Sequence, residues 1–397
     1  MSTPFFRRIL FYKNYSRSLF FPTGFLRLRK PDSYDVTWLD TIQFYRHLTP
    51  LTQAIFIMKI EIITTPNEAL KESGFGTLKA CHNVLDSIKK MGYTVKLNVC
   101  TTQKDLDEVV KRKPDLVVLA VKYISINNQD NIWLSEYFAK NNINYSGSSR
   151  ATLEFDSNKV LAKMHLTNKG IKTANYFIAT PGKYKNESDL PIKFPLFLKP
   201  LDAANGNGID DLSFVTNFTD YNSKVASLYN TFNQPILVEE YLDGREFTVA
   251  IIKTGNEELI VSAVEIIPPT STHGLRILGA QAKKDDSENM IEIVDNDVKN
   301  RVTALAIDAF NTLGIRDFGR VDIITNNHGE CFFMEANLVP GMTYGSSYFP
   351  EACNIVQTFA YDKVIEQLID SGLSRALSTI PPNSQPDTDN KLITSTC

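Results

Sequence analysis

Several classes are excluded by what the chain lacks. It has five cysteines in 397 residues. Cys81, Cys100, Cys331, Cys353 and Cys397 are scattered, form no C-x-x-C pair and are odd in number, which argues against a disulfide framework and for a reducing compartment. The five histidines lie far apart and show no zinc spacing. No apolar run approaches the length of a membrane-spanning helix, so stable membrane insertion is not expected. A net charge of −3 gives no global pull toward nucleic acid. No Ser-His-Asp or Cys-His signature offers a protein nucleophile. What remains is an ordinary soluble composition, 43% hydrophobic and 22% charged, in a chain long enough for a large core in more than one domain.

Acidic residues are missing from one stretch. Between Met1 and Pro31 the chain carries Arg7, Arg8, Lys13, Arg17, Arg27, Arg29 and Lys30 with no acidic partner and poor apolar periodicity. A transit peptide and a membrane-surface segment both have this composition. The reading preferred here is an extension of little function over residues 1–57. Met58-Lys59-Ile60-Glu61-Ile62-Ile63-Thr64 reads as the first strand of an α/β domain.

From that strand onward β and α patterns alternate. Ile60 to Thr64, Val95 to Val99 and the apolar run Leu116 to Val121 read as strands of a small open parallel sheet, with a further strand at Ile143 to Gly147. Helices are expected near Leu78–Ile88, over Lys104–Arg112 and over Trp133–Lys140. The first unit is thus 58–150. A second, 151–230, holds a helix over Lys159–Asn168, strands at Tyr176–Ala179 and Phe194–Pro200, and the Gly/Asn-rich loop Asp202–Ile209. Such a loop can lay N–H donors over phosphates, though it also suits a plain hairpin. A third, 231–375, opens with Ile236-Leu237-Val238-Glu239-Glu240-Tyr241-Leu242-Asp243-Gly244-Arg245-Glu246. Residues 376–397, with Pro381, Pro382 and Pro386 among polar residues, read as a disordered tail.

The third unit carries the chemistry. Phe318-Gly319-Arg320-Val321-Asp322 and Phe333-Met334-Glu335-Ala336-Asn337 flank the turn cluster Thr325-Asn326-Asn327-His328-Gly329 and read as a hairpin. Glu335 and Asn337, two apart, point to one face. Asp322 can share that face, and three converging oxygen ligands suit a hard cation such as Mg²⁺. Arg320 adds a cation fit for phosphate or an oxyanion. The turn Pro340-Gly341-Met342-Thr343, with Ser346 and Ser347, brings backbone donors and hydroxyls near the same place.

Taken in order, Lys159, Lys199, a Gly-rich loop, the Glu239–Glu246 segment and the Asp322/Glu335/Asn337 hairpin make a nucleotide site. At this point residues 58–370 resemble the ATP-grasp superfamily, and within it the D-alanine–D-alanine ligase family. The fold implied is α/β (α+β): a small open parallel sheet plus two α+β subdomains that clamp ATP.

The resemblance implies that Lys159, in the D-K-x-x-x-K-like stretch Asp156 to Lys163, and Lys199 contact the phosphates. It implies that Glu239 meets the adenine amino group, Tyr241 and Leu242 give backbone contacts, and Glu246 holds the ribose. Arg320 then steadies the transferring phosphoryl group and the tetrahedral intermediate, while Asp322, Glu335 and Asn337 ligate Mg²⁺ or Mn²⁺. Gly341 and Ser346 fall where the second amino acid is held, and Lys283 matches a loop lysine that reaches ATP. By analogy alone, the family also implies amino-acid substrates, cell-wall precursor synthesis, a homodimer and a cytoplasmic location.

Departures concentrate on the acid substrate. The family's Glu near its first helix has two counterparts here, Glu68 and Glu72, with Glu72 preferred. Its H-G-x-x-G-E-D-G segment is replaced by Leu119-Ala120-Val121-Lys122-Tyr123-Ile124. Serines of its Gly-rich loop are replaced by Asn205-Gly206-Asn207-Gly208. Its Y-x-Y-x-A-K-Y loop becomes His273–Lys284, with Lys284 in place of the last Tyr. Two further readings therefore stand beside D-alanine ligation: a ligase for other amino acids or peptides, and a nucleotide-binding protein without turnover.

Overall fold

The computed structural model describes residues 58–126, 130–202, 206–270, 277–285 and 287–378. The extension 1–57, Asn205 of the Gly/Asn loop, His273 to Arg276 and residues 379–397 lie outside it.

Strands β1 (Lys59–Thr64), β2 (Thr94–Val99) and β3 (Leu116–Leu119) form a parallel sheet in the order β2-β1-β3. β3 is buried along its whole length, as expected of a parallel strand covered on both faces. The expected strand over Ile143–Gly147 reduces to one parallel bridge between Val117 and Tyr145. The chain cannot extend the ladder there: Arg316 and Arg375 claim the Tyr145 carbonyl, and Gly147 turns away at φ +79° toward a helix capped by Ser149. Trp133 leaves the expected helix and pairs with Tyr123 in a short ribbon of β4 (Tyr123–Ile124) and β5 (Ile132–Trp133). The helix itself is Leu134–Lys140. The expected loop from Thr65 to Gly76 contains a short helix, Glu68–Glu72, because Asn67 accepts the Leu70 N–H and caps it.

A second sheet holds β6 (Tyr176–Ala179), β7 (Leu196–Pro200), β8 (Phe214–Val215) and β9 (Ile236–Glu240) in the order β6-β9-β7-β8. Helix Phe218–Phe232 covers it through Tyr221, Val225 and Leu228, giving a core of its own. β9 is hydrogen-bonded between β6 and β7, so a boundary at 230/231 cuts through this sheet. The first part of the Glu239–Glu246 segment belongs to the middle unit.

The third sheet is antiparallel, with β10 (Glu246–Lys253), β11 (Leu259–Ile267), β12 (Asn289–Glu292), β13 (Phe318–Thr325) and β14 (Cys331–Asn337) in the order β12-β11-β10-β13-β14. Helices Arg150–Ser157 and Lys159–Thr167 pack on β14, and their Leu153, Ala162 and Leu166 join the core of the third sheet. That core is continuous with one face of the first sheet through Ile60, Ile62 and Val118. The last helix, Tyr361–Ser378, runs three residues into the expected tail. Among the described residues no helix is long and apolar enough to cross a membrane.

Candidate active site

The hairpin of β13 and β14 has the register that the sequence spacing requires. Asp322 lies opposite Glu335 and Arg320 opposite Asn337, with an irregularity only after Asp322. Alternation places all four side chains on one face. Asp322 is held from several sides. Arg320 donates to both its oxygens at 2.9 Å, Thr248 of the neighbouring strand donates at 2.6 Å, and Asn337 donates through Nδ2 at 3.1 Å. The Arg320–Asp322 pair is bidentate, which fixes the guanidinium plane. Tyr348 stacks its ring over Arg320, with 5.3 Å from guanidinium to centroid.

Glu335 completes the face. Burial opposes its charge, but Lys159, Lys283, Lys199 and Arg320 outweigh burial and hold the carboxyl below its usual range. Lys159 is 3.4 Å from it. Two carboxylates and an amide, with lysines beside them, fit a Mg²⁺ that takes its remaining ligands from phosphate oxygens and water. Among the described residues no group of three His, Cys, Asp or Glu gathers elsewhere as a competing site.

The face opens on a cleft of about 1250 Å³, mouth included, between the second and third sheets. Lys159, Lys199, Glu239, Tyr241, Leu242, Glu246, Lys283, Asp322 and Glu335 all line it. Strands from two sheets and two helices supply most of these side chains, so the cleft exists only when both subdomains are folded. Glu240 points the other way and receives the backbone N–H of Asn175 at 2.8 Å, leaving Glu239 inward. Glu246 is half-buried; burial first, then the charges of Asp322 and Glu335, push its carboxyl up to about 7 against the pull of Lys283 and Lys199. The loop expected over His273–Lys284 ends in a short helix, Ala280–Lys284, whose Lys283 faces the cleft 5.9 Å from the Tyr348 ring. Gly206 and Gly208 adopt positive φ, and a Cβ on Gly206 would stand 3.1 Å from the Ala280 nitrogen. The Gly-rich loop and the Lys283 helix therefore meet backbone to backbone over the cleft.

Other expected residues are not brought to the cleft wall. Gly341 and Ser346 lie in the turn beyond β14. A Cβ on Gly341 would stand 2.8 Å from the Ser347 hydroxyl, which itself accepts the Thr343 N–H at 2.8 Å. The first unit docks on this turn: the Met342 N–H donates to the Phe75 carbonyl at 2.8 Å. Glu72 is exposed at the end of its short helix, and Glu68 pairs with Lys71 at 2.7 Å. Neither carboxylate lines the cleft, because the helix capped at Asn67 turns that segment outward.

Sequence reasoning passed over three residues that the structure places here. Thr248 anchors Asp322 from the neighbouring strand, and Tyr348 covers Arg320. Lys163 is fully buried 2.7 Å from Glu239. Its spacing of four from Lys159 on one helix was the available signal. Lys122, where the family has its glycine-rich segment, is buried and donates to Asp156 at 2.8 Å. Asp156 in turn accepts the Leu338 N–H at 2.7 Å.

Comparison with known proteins agrees with this geometry. Residues 166–370 match the family model described as D-ala D-ala ligase C-terminus. A D-alanine–D-alanine ligase of Marinomonas sp. is 27% identical over 290 residues, spanning 72% of this chain and 87% of the relative. One from Limosilactobacillus fermentum is 28% identical over 238 residues, 58% of this chain and 60% of that one. The crystal structure of the Bacillus anthracis D-alanine–D-alanine ligase complexed with ATP superposes with a TM-score of 0.62 at 20% identity, covering 81% of this chain and 99% of that one. A D-Ala:D-Ser ligase from Enterococcus faecalis gives a TM-score of 0.60 at 20% identity over 80% of this chain and 99% of its own. With its ATP-grasp cleft, carboxylate hairpin and matched C-terminal half, the chain belongs to the D-alanine–D-alanine ligase family.

Proposed function

We propose that the protein joins two D-alanines, using ATP to activate the carboxylate of the first, for the synthesis of a peptidoglycan precursor in the cytoplasm. The observation that carries the reading is the matched face of Arg320, Asp322, Glu335 and Asn337 at the end of a cleft whose far wall is Glu239, Tyr241 and Leu242. A nucleotide would lie along the cleft with its base at the β9 segment and its phosphates at the hairpin.

A carboxylate is a poor electrophile, and converting it to an acyl phosphate supplies a leaving group. Lys159, Lys199 and Lys283 surround the phosphate end with positive charge and orient the γ-phosphoryl group toward the acid. Asp322, Glu335 and Asn337 would hold Mg²⁺, which would supply positive charge to neutralise the phosphates. Arg320 is fixed in plane by Asp322 and Tyr348, so it stabilises charge that grows only as the phosphoryl group transfers and the amine attacks. The amine displaces phosphate and the products are dipeptide, ADP and phosphate. The Gly341–Ser347 turn would receive the second amino acid, and the Gly206–Ile209 and Lys283 segments would exclude water above the cleft.

A second reading is favoured by one observation: the acid side of the site departs from the family. Lys122 is locked to Asp156, and Glu68 and Glu72 lie away from the cleft. A polar pocket with changed donors selects a different acid, so ligation of another amino acid or peptide follows from the same ATP chemistry. Phosphate release from ATP and Mg²⁺ by the full-length protein, with D- and L-amino acids singly and in pairs, decides between them. Release with D-alanine alone, with the dipeptide seen by mass spectrometry, supports the first reading. Release only with another acid–amine pair replaces the substrate and keeps the mechanism. ATP bound without turnover on any pair supports a nucleotide-binding protein.

A further inference from the structure

Helix Lys159–Thr167 sends two lysines into the cleft from one face, one turn apart. They reach opposite ends. Lys159 is beside Glu335 at the hairpin, whereas Lys163 goes to the base end and lies 2.7 Å from Glu239. Glu239 is itself almost wholly buried and also meets Lys199 at 2.7 Å through its other oxygen. It pairs across the sheet with Tyr176 and Phe197, and the Lys163 ammonium stands 6.0 Å from the Tyr176 ring centroid. One carboxylate is thus held between two buried lysines.

Both contacts are ion pairs at 2.7 Å. A carboxylate oxygen that meets one ammonium keeps a second lone pair, so Oε1, in a buried residue of the cleft wall, can still accept from a ligand donor. Burial disfavours the Glu239 charge, yet the two lysines overcome it and hold the carboxyl down to about 2. Lys199, however, also faces the phosphate end, where Glu335 adds to its positive character. Anionic phosphates bound there would compete with Glu239 for Lys199. Lys163 touches Glu239 directly, feels Glu335 only as a weaker, more distant charge, and has no exposed surface to swing into.

We propose that Lys163 is a positioning residue for base selection: it keeps the Glu239 carboxylate charged and aimed at the 6-amino group of adenine when Lys199 turns to the phosphates. The inference rests on reading β9 as the base-binding segment. It predicts discrimination against purines with a 6-oxo group, because a fixed carboxylate accepts from an amine and repels a carbonyl oxygen.

The test is equilibrium binding of Mg-ADP and Mg-IDP to the full-length protein by calorimetry. IDP carries oxygen where ADP carries the amino group. The wild type is expected to prefer ADP. In Lys163→Met the preference falls by about tenfold or more, a change that corresponds to roughly 1.4 kcal/mol of lost discrimination, while Lys163→Arg keeps most of it. A merely structural lysine would weaken both nucleotides alike and leave the ratio alone. Glu239→Gln separates the two layers of the argument. If Glu239→Gln loses the preference and Lys163→Met keeps it, the role of Lys163 is overturned and the base-binding reading stands. If Glu239→Gln keeps the preference, the base-binding reading itself falls. Lys163→Gln, which retains a polar tip, is read the same way should the Met variant not fold.

Discussion

The proposed nucleotide side and the proposed acid side of this protein are built on different kinds of element. On the nucleotide side Arg320, Asp322, Glu335 and Asn337 sit on paired strands, so the sheet register alone fixes their mutual positions. Thr248, Lys159 and Lys199 then approach them from a neighbouring strand, a helix and the second sheet. On the acid side the corresponding groups are on connections. Glu68 and Glu72 ride a five-residue helix that faces solvent, and Lys122 is occupied by Asp156. ATP chemistry demands fixed geometry for charge stabilisation, whereas the acid changes from enzyme to enzyme and is read by segments that vary freely.

The sharpest test of that contrast is removal of Arg320. Arg320→Ala is expected to lower turnover by about 10²–10³ with nucleotide affinity changed only a few-fold, measured by phosphate release and by ADP binding. A loss of nucleotide binding of the same size as the loss of turnover would break the assignment of Arg320 to the transition state. Glu335→Gln tests the metal face. Its turnover should fall steeply at low Mg²⁺ and recover in part at high Mg²⁺, and a Mg²⁺-independent loss would argue that Glu335 only balances the lysines.

The acid side should answer differently. Lys122→Met strands Asp156 in a buried position with only the Leu338 N–H as partner. Breaking such a pair costs about 3 kcal/mol, seen as a drop of several degrees in thermal midpoint. An unchanged midpoint would mean that Lys122 is free to serve the substrate instead. Smallest of all, Glu72→Gln is expected to change the KM of either amino acid by less than about threefold, in keeping with an exposed position. A tenfold rise in KM for the acid alone would place Glu72 in the pocket after all and erase the difference between the two sides.

Parts of this arrangement were legible before any coordinates. Asp322, Glu335 and Asn337 could be paired from their spacing because a strand alternates with a period of two and a hairpin turn fixes the offset. Glu239 was singled out over Glu240 by the family resemblance, and the Asn175 contacts of Glu240 give the physical reason that Glu239 faces the cleft. The run Leu116 to Leu119 declared a buried parallel strand by composition alone. The run Ile143 to Gly147 looked similar and is not a strand, since Arg316 and Arg375 take its carbonyls from distant parts of the chain.

The amino-acid sequence by itself determined the local pieces: strand and helix periods, the metal-hairpin register, and the residue types that can handle a nucleotide. Tertiary structure decided what those pieces face. β9 went to the second sheet and helix Lys159–Thr167 to the third, so the cleft between them collects lysines from both. The pairing of Lys163 with Glu239 across 76 positions of chain, and of Lys122 with Asp156 across 34, carries no periodic signal. Such contacts arise from the packing of whole subdomains, in which burying apolar faces chooses the neighbours and the charged groups must then find partners or be excluded.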